Sequence, residues 1–242
     1  MRLVALALSA LAVIISGCQN ISDVRGYWSS RTIDLENVAA AEDEFADFAL
    51  LAAKAPEKDA FAAVDMLLKK AGKDEVAYLV YAEWIIRGFS SINSPCRSCP
   101  IFVHAADRIL SQGKLSDFEA DEYRRRREFC LHNQAGDKAE IPLLSDENVQ
   151  FPGRTLFLVL DQDCPSCRES MLKFDSDKWA GTSLVALCCG HGPLPDTPGW
   201  KCYRFIHEQE IIDTRQAPFF FVISPDGTIE KSYTPVYDEF VL

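Results

Sequence analysis

Hydrophobic and polar positions along the chain fall into two regimes. From about Asp34 to His132 the apolar residues recur at helical spacing. Glu57–Ala71 sets Phe61, Val64, Leu67, Leu68 and Ala71 on one face, and Ile101–Gln112 aligns Phe102, Ala105, Ala106, Ile109 and Leu110. Glu75–Phe89 is apolar nearly all round, which predicts the buried centre of a small bundle. Ser116-Asp117-Phe118-Glu119 is a capping box, in which Ser116 and Glu119 satisfy each other's orphan backbone N–H groups, so a helix starts there and runs to about His132. No strand pattern interrupts this stretch, and an all-α domain is expected over residues 34–137. After the polar break Asn133–Ala139 the periodicity changes. Thr155–Leu160, Ser183–Cys188 and Phe219–Ile223 are short, wholly apolar runs, as expected of strands covered on both faces. The turn Ser224-Pro225-Asp226-Gly227 follows the third, and Thr228–Tyr233 then alternates like an antiparallel edge strand. Helical patterning between the first two strands makes residues 138–242 an α/β domain.

Ahead of both regimes, Met1-Arg2 precedes an apolar run from Leu3 to Ile15 and then Ile15-Ser16-Gly17-Cys18. A short positive start, an apolar core and small residues before a cut site predict a secretory signal over residues 1–17. The run is too short to span a bilayer as a permanent helix. Ile-Ser-Gly-Cys resembles the bacterial lipobox. That resemblance implies lipidation of Cys18 and a membrane anchor in the bacterial cell envelope, on the periplasmic side or at the outer membrane. Residues 19–31 are polar without periodicity, so residues 18–33 are expected to be a tether.

Composition narrows the possibilities. The 242 residues carry a formal charge of −11, which argues against nucleic acid as a partner held through phosphates. At 48% hydrophobic residues the chain is neither disordered nor a polytopic membrane protein. Nine cysteines matter more, because disulfides persist outside the cytoplasm. Besides Cys18, an even set of eight remains.

The most informative cysteines are in Cys164-Pro165-Ser166-Cys167, between a buried strand and a helix. At a helix N-terminus, unpaired N–H groups and the macrodipole favour thiolate at Cys164. Pro165 suits the first helical turn. Cys167, one turn on, can resolve a mixed disulfide formed at Cys164. Taken alone, the pair reads as a redox couple, a structural disulfide or part of a metal site. Ala217-Pro218, immediately before the third apolar strand, adds to it. Strand–CxxC–helix, a further strand, then X-Pro-strand-turn-strand resembles the thioredoxin fold, and more narrowly the envelope-anchored proteins of the TlpA/ResA kind. It is most similar to lipoproteins carrying an uncharacterised helical domain before the thioredoxin-like one.

The resemblance implies thiol–disulfide exchange with client proteins that carry thiols or disulfides. Cys164 and Cys167 would be the catalytic residues, with Pro165, Ser166, Ala217 and a cis Pro218 shaping the substrate groove. Neither an organic cofactor nor a metal is implied. The chain also departs from the family. Asp163 stands where tryptophan usually precedes the first cysteine, and Leu158 where thioredoxin has a buried acid. Asp161 and Asp163 oppose a thiolate at Cys164, whereas Arg168 favours it. The alternative is a non-catalytic binding or scaffold lipoprotein braced by structural disulfides. The partner of the helical domain is not legible from sequence.

Among the other cysteines, Cys189–Cys202 is expected as a structural disulfide, since alternation lets only one of Cys188 and Cys189 face Cys202. Cys96-Arg97-Ser98-Cys99 lies between two prolines. It reads as a structural pairing involving Cys130, or as a second redox pair, or as half of a zinc site with the other CxxC, 65 residues away. Arg124–Arg127 point around a whole helix, which predicts salt bridges rather than an anion site.

Overall fold

The computed structural model describes residues 24–141, 151–174, 178–204 and 212–236, excepting the side chains of Ser166, Arg168 and Lys173. The expected signal over residues 1–17 and the expected lipidation site Cys18 lie outside the described residues. Among the described residues, no helix is long and apolar enough to cross a membrane. The chain divides into two compact units, residues 1–84 and 85–242.

The first unit holds α1 (Val38–Ala52), α2 (Glu57–Ala71) and α3 (Glu75–Ile85), whose last residue falls past the division. Asn37 Oδ1 accepts from the Ala40 N–H at the start of α1, and Asp74 Oδ1 from the Ala77 N–H at the start of α3, so each cap answers an orphan donor. Aromatic side chains fill the core. Trp28 is fully buried, edge-on to Phe48 at 5.3 Å and to Tyr81 at 5.8 Å. Trp28 lies inside the expected tether, which is therefore corrected. From Val24 onward the segment packs into the helical core, and Lys70 Nζ holds it by donating to the carbonyls of Ser29 and Arg31. One buried indole removes more apolar surface from water than the surrounding polar residues reveal in a periodicity.

The second unit begins where α3 runs into a π-helical turn, Ile86–Ser90. It contains α4 (Cys99–Gln112) and α5 (Asp117–Leu131). Gly113, at φ +61°, ends α4, and the expected capping box of Ser116 and Glu119 starts α5. The arginine run pairs as expected: Arg124 with Asp121, Arg125 and Arg126 with Glu122 at 2.6 Å, and Arg127 with Asp107 at 2.7 Å. Five strands follow: β1 (Thr155–Asp161), β2 (Ser183–Cys189), β3 (Trp200–Arg204), β4 (Phe219–Ile223) and β5 (Ile229–Pro235), with α6 (Pro165–Lys173) between β1 and β2. They form one mixed sheet in the order β3-β2-β1-β4-β5. The β1–β2 and β2–β3 pairs are parallel, and β1–β4 and β4–β5 antiparallel.

Strand alternation sorts the core into two layers. Phe157, Val159, Val185, Leu187, Phe219 and Phe221 face one side, with Phe129 of α5 and Ile92 packed among them. Leu156, Leu158, Leu160, Ala186, Phe220 and Val222 face the other, under Cys167 and Met171 of α6. The helical hairpin α4–α5 thus belongs with the sheet, and the expected boundary between residues 137 and 138 does not coincide with the division of the chain. The reason is Phe129, whose ring lies 4.2 Å from that of Tyr233 and 6.2 Å from that of Phe219. Helical periodicity marks which face is apolar, not what covers it. Among the described elements, the pattern did not predict the strand β3, which is five residues long and only partly buried, or the short helical turn Thr214–Gln216.

Candidate functional site

Where β1 ends, the chain turns through Gln162 and Asp163 into α6. Cys164 caps that helix in extended backbone, with its N–H donating to the Asp161 carbonyl at 3.2 Å, and Pro165 opens the first turn. Asp161 Oδ1 accepts from the Asp163 N–H at 2.9 Å, and the Cys189 carbonyl from the Gln162 N–H at 2.9 Å. Cys164 is half-buried at the surface end of the layer that Cys167 completes. Cys167 is fully buried, and its S–H donates to the Cys164 sulfur. Burial first, and that hydrogen bond second, push the Cys167 thiol up to about 12. The two cysteines therefore sit in unequal surroundings, one sulfur fully buried and the other half-buried. Leu158 is completely buried in the same layer, so the position of the missing acid is filled by hydrocarbon.

Ala217-Pro218 is a cis peptide bond. Val159 pairs with Phe219, so Pro218 and Ala217 lie just beyond the paired strands, at the end of the sheet where β1 delivers Cys164. Ala217 packs against the same buried layer as Cys164. The expected groove residues Pro165, Ala217 and Pro218 therefore gather with the two cysteines at one end of the sheet; of Ser166 only the backbone is described.

Residues that sequence reasoning missed hold this end in place. Asp213 Oδ1 accepts from Arg215 Nε at 2.8 Å, and Glu122 Oε2 of α5 from Arg215 Nη1 at 2.6 Å. Gln216 Oε1 accepts from the Ile92 N–H at 2.8 Å. The helical hairpin thereby grips the turn Thr214–Gln216 that presents the cis-proline. Burial of Glu122 opposes its charge, but hydrogen bonds from Arg126 and Arg215 outweigh it and hold the carboxyl below its ordinary range. On the other flank Arg204 donates to Gln162 Oε1 at 3.1 Å and to the carbonyls of Gly190 at 2.8 Å and Gly192 at 2.6 Å. The Glu122–Arg215 and Ile92–Gln216 contacts join residues 93 and 124 apart, and no local pattern could signal them.

Gly190 is a special position. Its φ is +94°, and a Cβ there would come within 2.9 Å of Asp163 Oδ2 and 3.2 Å of Asp161 Oδ1. Gly190→Ala is expected to destabilise the fold by about 1–3 kcal/mol and to raise the alkylation rate of Cys167 by displacing the loop before Cys164. Gly199→Ala is the control, since its φ is +85° but a Cβ there meets nothing within 4 Å. Equal alkylation rates in the two variants would show that the loop does not depend on the close approach.

The other cysteines sort by strand register. Ala186 pairs with Cys202, so Cys202 shares a face with Ala186 and Cys188. The Cys188 S–H donates to the Cys202 sulfur, and burial first, with Cys202 nearby, pushes the Cys188 thiol up to about 12. Cys189 points to the opposite face, where its S–H donates to the Leu160 carbonyl at 3.1 Å. The expected partnership of Cys189 with Cys202 is therefore corrected to Cys188 with Cys202: parallel register, not loop length, decides which of two adjacent cysteines faces the neighbour. Cys96, Cys99 and Cys130 are all buried in the second unit, and Cys99 meets Cys130. Among the described residues no three metal-ligating side chains come together.

Compared with solved structures, the chain is similar to a thioredoxin-like protein from Bacteroides caccae, with a TM-score of 0.69 and 15% identity over 90% of each chain. A second similarity, to the C-terminal domain of an uncharacterized protein from Bacteroides fragilis, has a TM-score of 0.34 and 20% identity over 46% of this chain and 97% of that one. No family profile and no curated protein matches the sequence. The first similarity, together with the sheet order and the helix after β1, makes the fold thioredoxin-like, an N-terminal set of helices followed by an α/β domain.

Proposed function

We propose that this protein is an envelope-tethered thiol–disulfide oxidoreductase of the TlpA/ResA kind, anchored through a lipidated Cys18. The Cys164 thiolate attacks a client disulfide, one client sulfur leaves with the electron pair, and a mixed disulfide forms. Cys167 then displaces the second client sulfur and closes the Cys164–Cys167 bond. The client receives two electrons, and its thiols take up the protons. Pro165, Ser166, Ala217 and Pro218 shape the groove, where a client segment adds to the backbone as an extra strand. The reaction uses sulfur chemistry alone and calls for no cofactor.

The observation that carries this reading is the inequality of the pair: a half-buried Cys164 at a helix N-terminus accepts a hydrogen bond from a fully buried Cys167 thiol. The rival is a scaffold in which the pair is only a brace, and the apolar Leu158 favours it, because no acid assists proton transfer there. A redox titration in glutathione buffers, with mass-spectrometric mapping of alkylated cysteines, separates the two. The oxidoreductase requires Cys164 and Cys167 to titrate reversibly between about −120 and −300 mV. A pair that stays oxidised below that range is a brace, and the protein is then a scaffold.

A further inference from the structure

A second pair of thiols meets away from the first. Cys99 is the first residue of the fourteen-residue helix α4, and Cys130 sits one residue before the end of α5, so the two sulfurs meet where the hairpin's open ends come together. The Cys130 S–H donates to the Cys99 sulfur, and Arg97 Nη2 donates to the same sulfur at 3.4 Å. Arg97 is held in turn by the Tyr233 carbonyl at 3.5 Å and lies 5.7 Å from the centre of the Tyr233 ring. The hydrogen bond from Cys130, opposed by burial and reinforced by Arg97, lowers the Cys99 thiol from its ordinary value, whereas Cys130 is held protonated. Both residues are buried, at 7% and 3% exposure, so exchange with a small disulfide runs through local openings of the hairpin's open end. The Cys188–Cys202 contact is less suited to bonding. It joins neighbouring strands at a diagonal offset of two residues, which stretches the Cα separation toward the limit for a disulfide.

We propose that Cys99 and Cys130 are a second thiol–disulfide couple, oxidised by low-molecular-weight disulfides such as glutathione disulfide. The Cys99 thiolate attacks one sulfur of the small disulfide, and the first thiolate leaves. The Cys130 sulfur then attacks Cys99 in the mixed disulfide and expels the second thiolate, while the Cys130 proton passes to a leaving thiolate. Two protein thiols lose two electrons, and the small disulfide becomes two small thiols. The product bond pins the first turn of α4 to the last turn of α5. This couple does not rest on the proposed exchange at Cys164.

The test is to reduce the full chain, equilibrate it with glutathione disulfide, quench in acid and map the linked peptides. A peptide joining Cys99 to Cys130 is expected in the wild type and equally in a Cys164→Ser/Cys167→Ser double variant. Recovery of both as unlinked thiols under fully oxidising conditions, or a bond from Cys99 to Cys96, overturns the proposal. In Cys130→Ala the reaction should stop at a glutathione adduct on Cys99; if that variant does not fold, the wild-type map still decides. Arg97→Gln should slow closure several-fold at pH 7 without changing the final linked fraction, and an unchanged rate would remove Arg97 from the mechanism.

Discussion

Replacing Cys167 by serine should trap the protein on its client. With Cys164 still able to attack and no second sulfur to finish the exchange, a mixed disulfide at Cys164 accumulates and reducing agent releases it. Replacing Cys164 should instead abolish exchange and leave no adduct, because Cys167 is fully buried and its thiol is pushed up to about 12. The two variants therefore differ in kind, not in degree. Insulin reduction measures the loss of turnover, and non-reducing electrophoresis of variant and client measures the trap. Adducts on Cys167 in the Cys164→Ser protein would reverse the assigned roles. Equal behaviour of both variants and the wild type would mean that the CPSC pair takes no part in exchange.

The second large effect concerns stability. Phe129→Ala should cost about 3–5 kcal/mol, the usual range for deleting a fully buried phenylalanine. For a unit of this size that is a drop in Tm of about 6–20 °C. Phe129 is completely buried, and its ring meets Tyr233 and Phe219 across the sheet face. Phe118→Ala on the same helix is the comparison, because that ring is 78% exposed and should change stability little. Thermal denaturation read by alkylation of the buried Cys167 tests more than the size of the effect. If the hairpin α4–α5 were part of a separate helical domain, Phe129→Ala would leave the protection of Cys167 unchanged. As part of the sheet's own unit, the hairpin should expose Cys167 at the lowered temperature.

The thiol pairs show how cysteine spacing and cysteine contact differ. Cys164 and Cys167 are one helical turn apart, so their meeting follows from local geometry alone. Cys99 and Cys130 meet only because two helices pack antiparallel. The choice of Cys188 over Cys189 for Cys202 rests on a single register, Ala186 against Cys202. A one-residue slip would have brought Cys189 to the same face and justified the pairing expected from sequence.

The sequence by itself determined the elements whose cause is local. The capping box at Ser116, the apolar runs of β1, β2 and β4, and the helix opened by Cys164-Pro165 depend on neighbours within a few residues. The placement of Ala217-Pro218 before β4 was equally legible. Tertiary structure decided whatever depends on contacts far apart along the chain. Trp28 became core rather than tether, Phe129 drew the α4–α5 hairpin onto the sheet, and Glu122, Arg215, Gln216 and Ile92 came to hold the cis-proline turn. The physical reason is that periodicity records which side of an element avoids water. Which surface replaces the water is settled when the elements pack, where burial and charge pairing act between residues that the chain itself keeps apart.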